Sequence, residues 1–488
     1  MNRQIAWLFG VIIVLFTVLA VFTSRWSVLE ADSLKHQPRN QRLILEQQAV
    51  PRGLILARDG TKLAINHRIG TRQTKRYYRV YPRGGLFAHA VGYSFISAGQ
   101  SGLEQSYNTE LSGTSDKQLS SFLEQLGGGP KQGDDLRTNL DPAAQREALA
   151  GLAGRAGTVV ALEPSTGRIR VMANIPGFDP NNVPNQLKQL NKAPPGVLGP
   201  LVNRATQARY PPGSTMKVVT SAAALDSGLY KPGSFISGRD GVVISGVPLH
   251  NYGGENFGSI SLTDALTNSV NTVFGQIGEK LGKGTMLKYM RRFGFQAQPS
   301  IDLPRDQVAA SGVLSPGTRR SAPKPLGANN TWDVGRVAIG QEPHLFVTPL
   351  QMALVAATVG NKGRMMQPHL GDKVIAPDGR VRASIRPREQ STVMSESAAS
   401  DLAGMMTNVV KSGTGTGGAL SGIQVAGKTG TADNPKGGNY AWFIAFAPVK
   451  DPKVAVAVVV EQTNQSQTGG EVAAPIAARV MRAVLGHG

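Results

Sequence analysis

The chain has 488 residues, no cysteine, and 52 Lys plus Arg against 32 Asp plus Glu, a formal charge of +20. Without thiols there is no disulfide framework and no cysteine nucleophile, and none of the seven histidines has metal-ligand spacing, so neither metal nor cofactor is expected. A pI near 10.2 fits nucleic acid as readily as anionic lipid or wall polymer, and the N-terminus decides between them.

From Gln4 to Ser24 run 21 residues without a charge. At about 1.5 Å per residue this makes roughly 32 Å of helix, close to the ~30 Å hydrocarbon core of a bilayer. A cleaved signal peptide is the competing reading. Its apolar region usually spans about 7–15 residues before a small-x-small site, and Phe22-Thr-Ser-Arg25-Trp26 offers no clear cleavage signal. Arg3 and the α-amine lie on one side of the span, Arg25 followed by Glu30 and Asp32 on the other. The positive-inside rule then favours a cytoplasmic N-terminus, with everything after Trp26 exported. No second stretch of that length occurs, so a single-pass protein of the cell membrane is expected. Export argues against nucleic acid as a partner and leaves lipid headgroups and wall polymers.

Past the anchor, Pro51–Gly60 alternates apolar and polar residues and closes on a turn. An acid-free run from Gly60 to Leu103 carries Lys62, Arg68, Arg72, Lys75, Arg76, Arg79 and Arg83, interleaved with Tyr77, Tyr78 and Tyr81. A strand with a solvated basic face is the plainer reading; a surface docking on a membrane or partner is the other. Tyr81-Pro-Arg-Gly and Ala90–Tyr93 read as a short extended piece, Gly102–Tyr107 as the opening of a helix, and Gly127–Pro130 as loop. The pattern changes near Arg155. Thr158–Leu162 and Ile169–Ala173 flank Pro164-Ser-Thr-Gly167, a β-hairpin. Helical patterns dominate from Ser214 to about Val410, the last capped by Ser395, with Leu402, Met405, Met406 and Val409 on one face and a stop at Gly413. Strand patterns return at Ile423–Thr431, Trp442–Ala447 and Val454–Val460, and Val472–Leu485 reads as a helix. Two early strands, a helical middle, three late strands and a final helix predict an α+β domain with one antiparallel sheet and helices on its faces. The expected organisation is a cytoplasmic tip and anchor over 1–25, a non-catalytic region over 26–154, and a catalytic domain over 155–488.

Three short strings carry chemistry. Ser214-Thr-Met-Lys217 puts a nucleophile and a base three residues apart, and on a helix such positions share a face about 5–6 Å apart. The Pro211-Pro212-Gly213 turn opens that helix, so Ser214 falls in its first turn, where unpaired N–H groups and the helix dipole stabilise an oxyanion. A serine is a weak nucleophile, and the lysine helps only if burial or a neighbouring cation depresses its pKa. Alone the tetrad is weak evidence, since most such tetrads are surface helix residues. Ser269-Val-Asn271 follows, in plain reading a helix cap or turn. Lys428-Thr-Gly-Thr431 comes last, in plain reading an edge strand with a bulge glycine.

In this order the three strings are the motif set of penicillin-binding proteins and serine β-lactamases. Asn203-Arg-Ala before the serine, Gly340-Gln341 and Val347-Thr-Pro-Leu-Gln-Met352 after the second motif, and Trp442-Phe443 after the third extend the likeness. The chain resembles a class B penicillin-binding protein over nearly its whole length, of the compact actinobacterial type without C-terminal PASTA modules. The resemblance implies a dimerisation-type pedestal over 26–154 and a five-stranded antiparallel sheet flanked by helices in the catalytic domain. It implies that Ser214 attacks the carbonyl between two D-alanines of a peptidoglycan stem peptide while neutral Lys217 takes its proton. Ser269 would pass a proton to the departing D-alanine and Asn271 would orient Lys217. Lys428 and Thr429 would hold the substrate carboxylate, and Gly430 would leave room for an extended substrate. The N–H groups of Ser214 and Thr431 would form the oxyanion hole. An amine from a neighbouring stem peptide then completes the crosslink, whereas a β-lactam stalls because its leaving amine stays tethered. The lipid-linked precursor and a SEDS-family glycosyltransferase are the further partners the resemblance implies.

Rival readings remain within the fold. A class A β-lactamase needs a Glu to activate water, and no Glu lies between Glu279 and Glu342; an anchor and a pedestal also make little sense for a secreted hydrolase. A D,D-carboxypeptidase, which releases the acyl group to water, is separated only by family pattern. A third reading is a β-lactam-refractory scaffold that activates the glycosyltransferase. One departure stands out: relatives commonly carry Gly after Gly340-Gln341, where this chain has Glu342. Pointing to solvent is the plainer expectation for it, and altered access to the cleft the other. His250 and His344 read as ordinary loop residues.

Overall fold

Helix α1 (Asn2–Ser24) leaves its large apolar side chains exposed, Leu8, Phe9, Leu15 and Phe16 among them. Among the described residues it is the one helix long and apolar enough to cross a membrane. The computed structural model describes residues 2–25, 48–71, 75–113, 132–194, 197–315, 324–434, 437–462 and 467–486. Gly127–Pro130, Arg72, Glu30 and Asp32 lie outside them.

The chain then builds β1 (Ile55–Leu56), β2 (Lys62–Ile69) and β3 (Arg76–Val80). Ala90–Tyr93 is not extended: Ala88–Val91 is a helical turn, ended by Gly92 at φ 77°, and extended backbone begins only at Ser94. Phe87, Ala88, His89, Ala90 and Val91 are all buried, and the helical turn satisfies its own backbone there, Gly92 N donating to Ala88 O at 2.8 Å. Gly102–Ser106 is helical as expected. β4 (Asp135–Thr138) leads to α2 (Pro142–Leu152). There Asp141 accepts from the N–H groups of Ala143 and Ala144 at 3.1 and 3.2 Å, and Pro142 fills a position whose N–H has no helical partner.

The basic run divides. Lys62, Arg68, Lys75 and Arg83 are exposed, as a solvated face requires. Arg79 turns inward to the fully buried Glu104, which also pairs with Arg52 at 3.1 Å and accepts from Tyr81 Oη at 3.2 Å.

β5 (Gly157–Leu162) and β6 (Ile169–Ile175) form the expected hairpin. Helices α3 (Lys217–Asp226), α4 (Leu262–Thr267), α5 (Asn271–Arg292), α6 (Val334–Ile339) and α7 (Pro349–Gly360) follow. The helical middle is interrupted by β7 (Gly371–Ile375) and β8 (Val381–Ser384). α8 (Glu396–Ser412) starts where Ser395 Oγ accepts from Ala398 N at 3.3 Å, and it ends at Gly413. β9 (Ala426–Asp433), β10 (Asn439–Ala447), β11 (Val454–Glu461) and α9 (Gly469–Leu485) complete the chain.

Two sheets result. The five-stranded sheet has the order β9-β10-β11-β5-β6 and is antiparallel throughout. Its central strand β11 is apolar on both faces. Ala455, Ala457 and Val459 join the core under α3 and α7, while Val454, Val456, Val458 and Val460 join the core under α2 and α9. That double burial is why the strand reads as a continuous apolar run. The six-stranded sheet has the order β8-β7-β4-β1-β2-β3. A division at residue 154 therefore does not separate the two sheets, because β7 crosses back to pair with β4 and β8 pairs with β7. Asp302 fastens the crossing, accepting from Leu370 N and Gly371 N at 2.7 Å and from Tyr107 Oη at 2.9 Å.

Candidate active site

Ser214 sits in a 3-10 turn, Gly213–Met216, that runs directly into α3 at Lys217. The turn is gripped from several sides. Tyr210 and Val347 exchange backbone hydrogen bonds of 2.9 Å in both directions. Tyr210 Oη donates to Glu461 at 3.1 Å, and Trp442 Nε1 donates to Pro211 O at 3.0 Å. Gly213 N donates to Gly340 O at 3.2 Å. At Gly340, in the left-handed region at φ 79°, a Cβ would lie 2.0 Å from Gly213 O, and at Gly213 a Cβ would lie 2.5 Å from Thr431 O. The two glycines let the nucleophile turn lie flush against β9.

Gly430 belongs to the same grip, a role beside the expected one of leaving room for substrate. A Cβ there would meet Thr215 Cγ2 at 2.9 Å, Pro212 O at 3.0 Å and Thr215 N at 3.1 Å. Alternation along β9 points this position at the turn beneath it.

Both motif lysines are fully buried. Lys217 Nζ donates to Ser269 O at 2.6 Å, Asn271 Oδ1 at 2.7 Å and Ser269 Oγ at 3.2 Å. Lys428 Nζ donates to the same Ser269 Oγ at 2.9 Å and to Thr429 O at 3.0 Å. Ser269 adopts φ 59° between α4 and α5, a left-handed turn that offers its carbonyl and hydroxyl together. The structure thus joins Lys217, Ser269, Asn271, Lys428 and Thr429 in one network. The half-buried Ser214 lies in the turn that leads into Lys217, and Thr431 lies against that turn, its carbonyl 2.5 Å from where a Cβ on Gly213 would stand.

Burial, and then the charge of Lys428, holds Lys217 well below the ordinary lysine range. Burial brings Lys428 down to about 7. Both are desolvated, and Lys217 also feels its neighbour's charge. A neutral amine keeps two hydrogens and one lone pair. Ser269 O can only accept, and so can Asn271 Oδ1. These two consume both hydrogens and leave the lone pair for a hydroxyl.

Sequence reasoning missed several participants. The carbonyl of His250 accepts from Asn271 Nδ2 at 3.0 Å, so His250 is more than a loop residue. Thr414 Oγ1 lies 2.6 Å from Thr429 Oγ1. Glu342 does not point to solvent: it is 6% exposed and pairs with His344 Nδ1 at 2.9 Å. Only Thr414, in the glycine-rich Gly413–Gly418 bend, carried a sequence signal, that of a tight approach.

The arrangement suits serine acyl transfer: a buried lysine with a depressed pKa, and a hydroxyl shared by two lysines. The chain belongs to the penicillin-binding protein family. Residues 157–482 match the penicillin binding protein transpeptidase domain, and residues 52–136 match the penicillin binding protein A dimerisation domain. It is 35% identical to peptidoglycan D,D-transpeptidase PbpA of Mycolicibacterium smegmatis, covering 100% of this chain and 99% of that one. Identity to PbpA of Mycobacterium tuberculosis is 33%, over 99% of each chain. The ceftriaxone acyl-enzyme complex of penicillin-binding protein A from M. tuberculosis superposes with a TM-score of 0.80 at 33% identity, covering 90% of this chain and 100% of that one. PBP2 of Pseudomonas aeruginosa gives a TM-score of 0.71 at 30% identity, covering 89% and 96%.

Proposed function

We propose that the protein is a peptidoglycan D,D-transpeptidase. The observation that carries this reading is the buried Lys217, whose two hydrogens are committed to Ser269 O and Asn271 Oδ1. Its lone pair takes the Ser214 proton as Oγ adds to the penultimate D-alanine carbonyl. The oxyanion is met by the N–H groups of Ser214 and Thr431, a pairing supported by the close approach of Gly213 to Thr431. The proton passes through Ser269 Oγ to the nitrogen of the departing D-alanine as the C–N bond breaks. Lys428 and Thr429 bind the terminal carboxylate. The amine of a second stem peptide then attacks the acyl-enzyme, loses its proton along the same path and releases Ser214. A β-lactam acylates Ser214 but keeps its amine attached, so the second step stalls.

Substrate reaches this site as lipid-linked precursor, and α1 anchors the protein as a single-pass span with the N-terminus cytoplasmic and the catalytic domain outside. A SEDS-family glycosyltransferase is the partner the anchor and pedestal suit. The functional blocks are the tip and anchor over 1–25, the pedestal over 26–154 and the transpeptidase domain over 155–488, with β7 and β8 lent back to the pedestal sheet. Fluorescent penicillin on wild type and Ser214→Ala, followed by intact mass, tests acylation. Purified lipid-linked substrate tests the second step, with crosslinked dimers expected. Trimmed monomers alone would make the protein a carboxypeptidase, and absence of any Ser214 adduct would overturn the catalytic reading.

A further inference from the structure

Between α3 and α4 the chain folds a small ribbon, with Val242–Ile244 paired to Val247–Leu249 and Phe235–Ser237 paired to Ser259–Ser261. Apart from the His250 carbonyl, nothing in the chemistry above uses it, yet its polar centre reaches the catalytic lysine through unbroken contacts. Asp240 Oδ2 lies 2.9 Å from His250 Nδ1, and Asp240 Oδ1 accepts from Asn251 N at 2.6 Å. The buried Asn251 commits its whole side chain. Its Nδ2 donates to Gly238 O at 3.0 Å and Glu255 O at 2.9 Å, while its Oδ1 accepts from Thr272 N and Thr272 Oγ1, both at 3.1 Å. That ties the ribbon to the first turn of α5. Beneath it, Ile244 and Leu249 are buried against two glycines. A Cβ at Gly275 would lie 2.7 Å from Leu249 Cδ2, and one at Gly335 would lie 2.3 Å from Ile244 Cγ2. The ribbon cannot lift without unpacking these contacts.

The consequence falls on Asn271. A backbone carbonyl can only accept, so His250 O requires the nitrogen of the Asn271 amide, which donates to it at 3.0 Å. With its nitrogen so engaged, the amide must turn its oxygen the other way, where Oδ1 accepts from Lys217 Nζ at 2.7 Å. A flipped amide would present N–H to Lys217 and occupy the lone pair that the reaction needs. We propose that Asp240, His250 and Asn251 form a positioning device that fixes the amide of Asn271 and thereby keeps the lone pair of Lys217 free for a hydroxyl. The inference rests on the transpeptidase reading. All three act through Asn271 and are positioning residues.

The test is a mutant cycle on the full chain in detergent, read as the second-order rate of Ser214 acylation by penicillin. Asp240→Ala is expected to acylate about tenfold more slowly, about the worth of one hydrogen bond in a rate. Asp240→Asn keeps two neutral hydrogen bonds and is expected to retain most of the rate. In an Asn271→Ala background, Asp240→Ala is expected to change nothing further. An equal loss in both backgrounds would overturn the proposal, since a ribbon that merely supports the fold acts whether or not Asn271 is there. Should Asp240→Ala not fold, Thr272→Val, which removes one donor to Asn251, replaces it in the same cycle. If wild type is not acylated at all, the transpeptidase reading fails, and the device is then read from the side-chain amide resonances of Asn271. A hydrogen-bonded Nδ2 proton lost in Asp240→Ala supports it, and an unchanged pair overturns it.

Discussion

Gly430→Ala separates two roles for the glycine of the third motif. The added methyl would stand 2.9 Å from Thr215 Cγ2 and 3.0 Å from Pro212 O, and relief to ordinary contact near 3.4 Å asks for roughly half an ångström. Because one neighbour is the backbone of the nucleophile turn, the shift moves Ser214 relative to the Thr431 amide. A misplacement of about 1 Å costs about a hundredfold in rate, so half of that costs about tenfold. Overpacking also lowers stability by about 1–3 kcal/mol. Stopped-flow acylation with a chromogenic cephalosporin resolves the initial binding constant from the acylation rate constant. The grip described here lowers the rate constant and leaves binding nearly unchanged. Weakened binding with an unaltered rate constant would refute it and leave Gly430 only the role of clearing space for the ligand.

The pH dependence of acylation follows from the two buried lysines. Activity is expected to rise as Lys217 loses its proton, because the base acts in its neutral form, and to fall through about 7 as Lys428 loses the charge that holds the carboxylate. Lys428→Arg stays charged throughout, so its profile is expected to lose the alkaline fall even if the plateau drops; a fall at the same pH would reassign that limb. In the pedestal, Glu104→Ala leaves Arg79 and Arg52 without the carboxylate that neutralises them. A loss of about 3–5 kcal/mol is expected in the melting of the full chain, and a change below about 1 kcal/mol would mean that water reaches both guanidinium groups.

Much of the catalytic domain was legible because its signals are local. Thr158–Leu162 and Val454–Val460 are apolar runs that only a doubly covered strand explains, and each motif carries its reacting groups within four residues. What escaped depends on partners distant in sequence or on groups that no side chain reveals. The Asn271 amide is set by a backbone carbonyl, that of His250. Arg79 reads as surface charge until Glu104, 25 residues on, turns it inward. Val381–Ser384 is exposed at every position, so no apolar alternation marks it as a strand. Gly430 was recognised as geometric, but which neighbour it serves needs the depth of the turn beneath β9.

The pairing of β4 with β7 has a consequence for how the protein is made. Leu136 faces Val374 across that ladder, so the N-terminal body is synthesised first with a bare sheet edge. The segment that covers it arrives only after most of the catalytic domain has followed. An open edge of this kind invites pairing with the wrong chain. The two bodies therefore mature together, and a pedestal cut away at residue 154 would carry an uncovered strand that the intact protein never presents once complete.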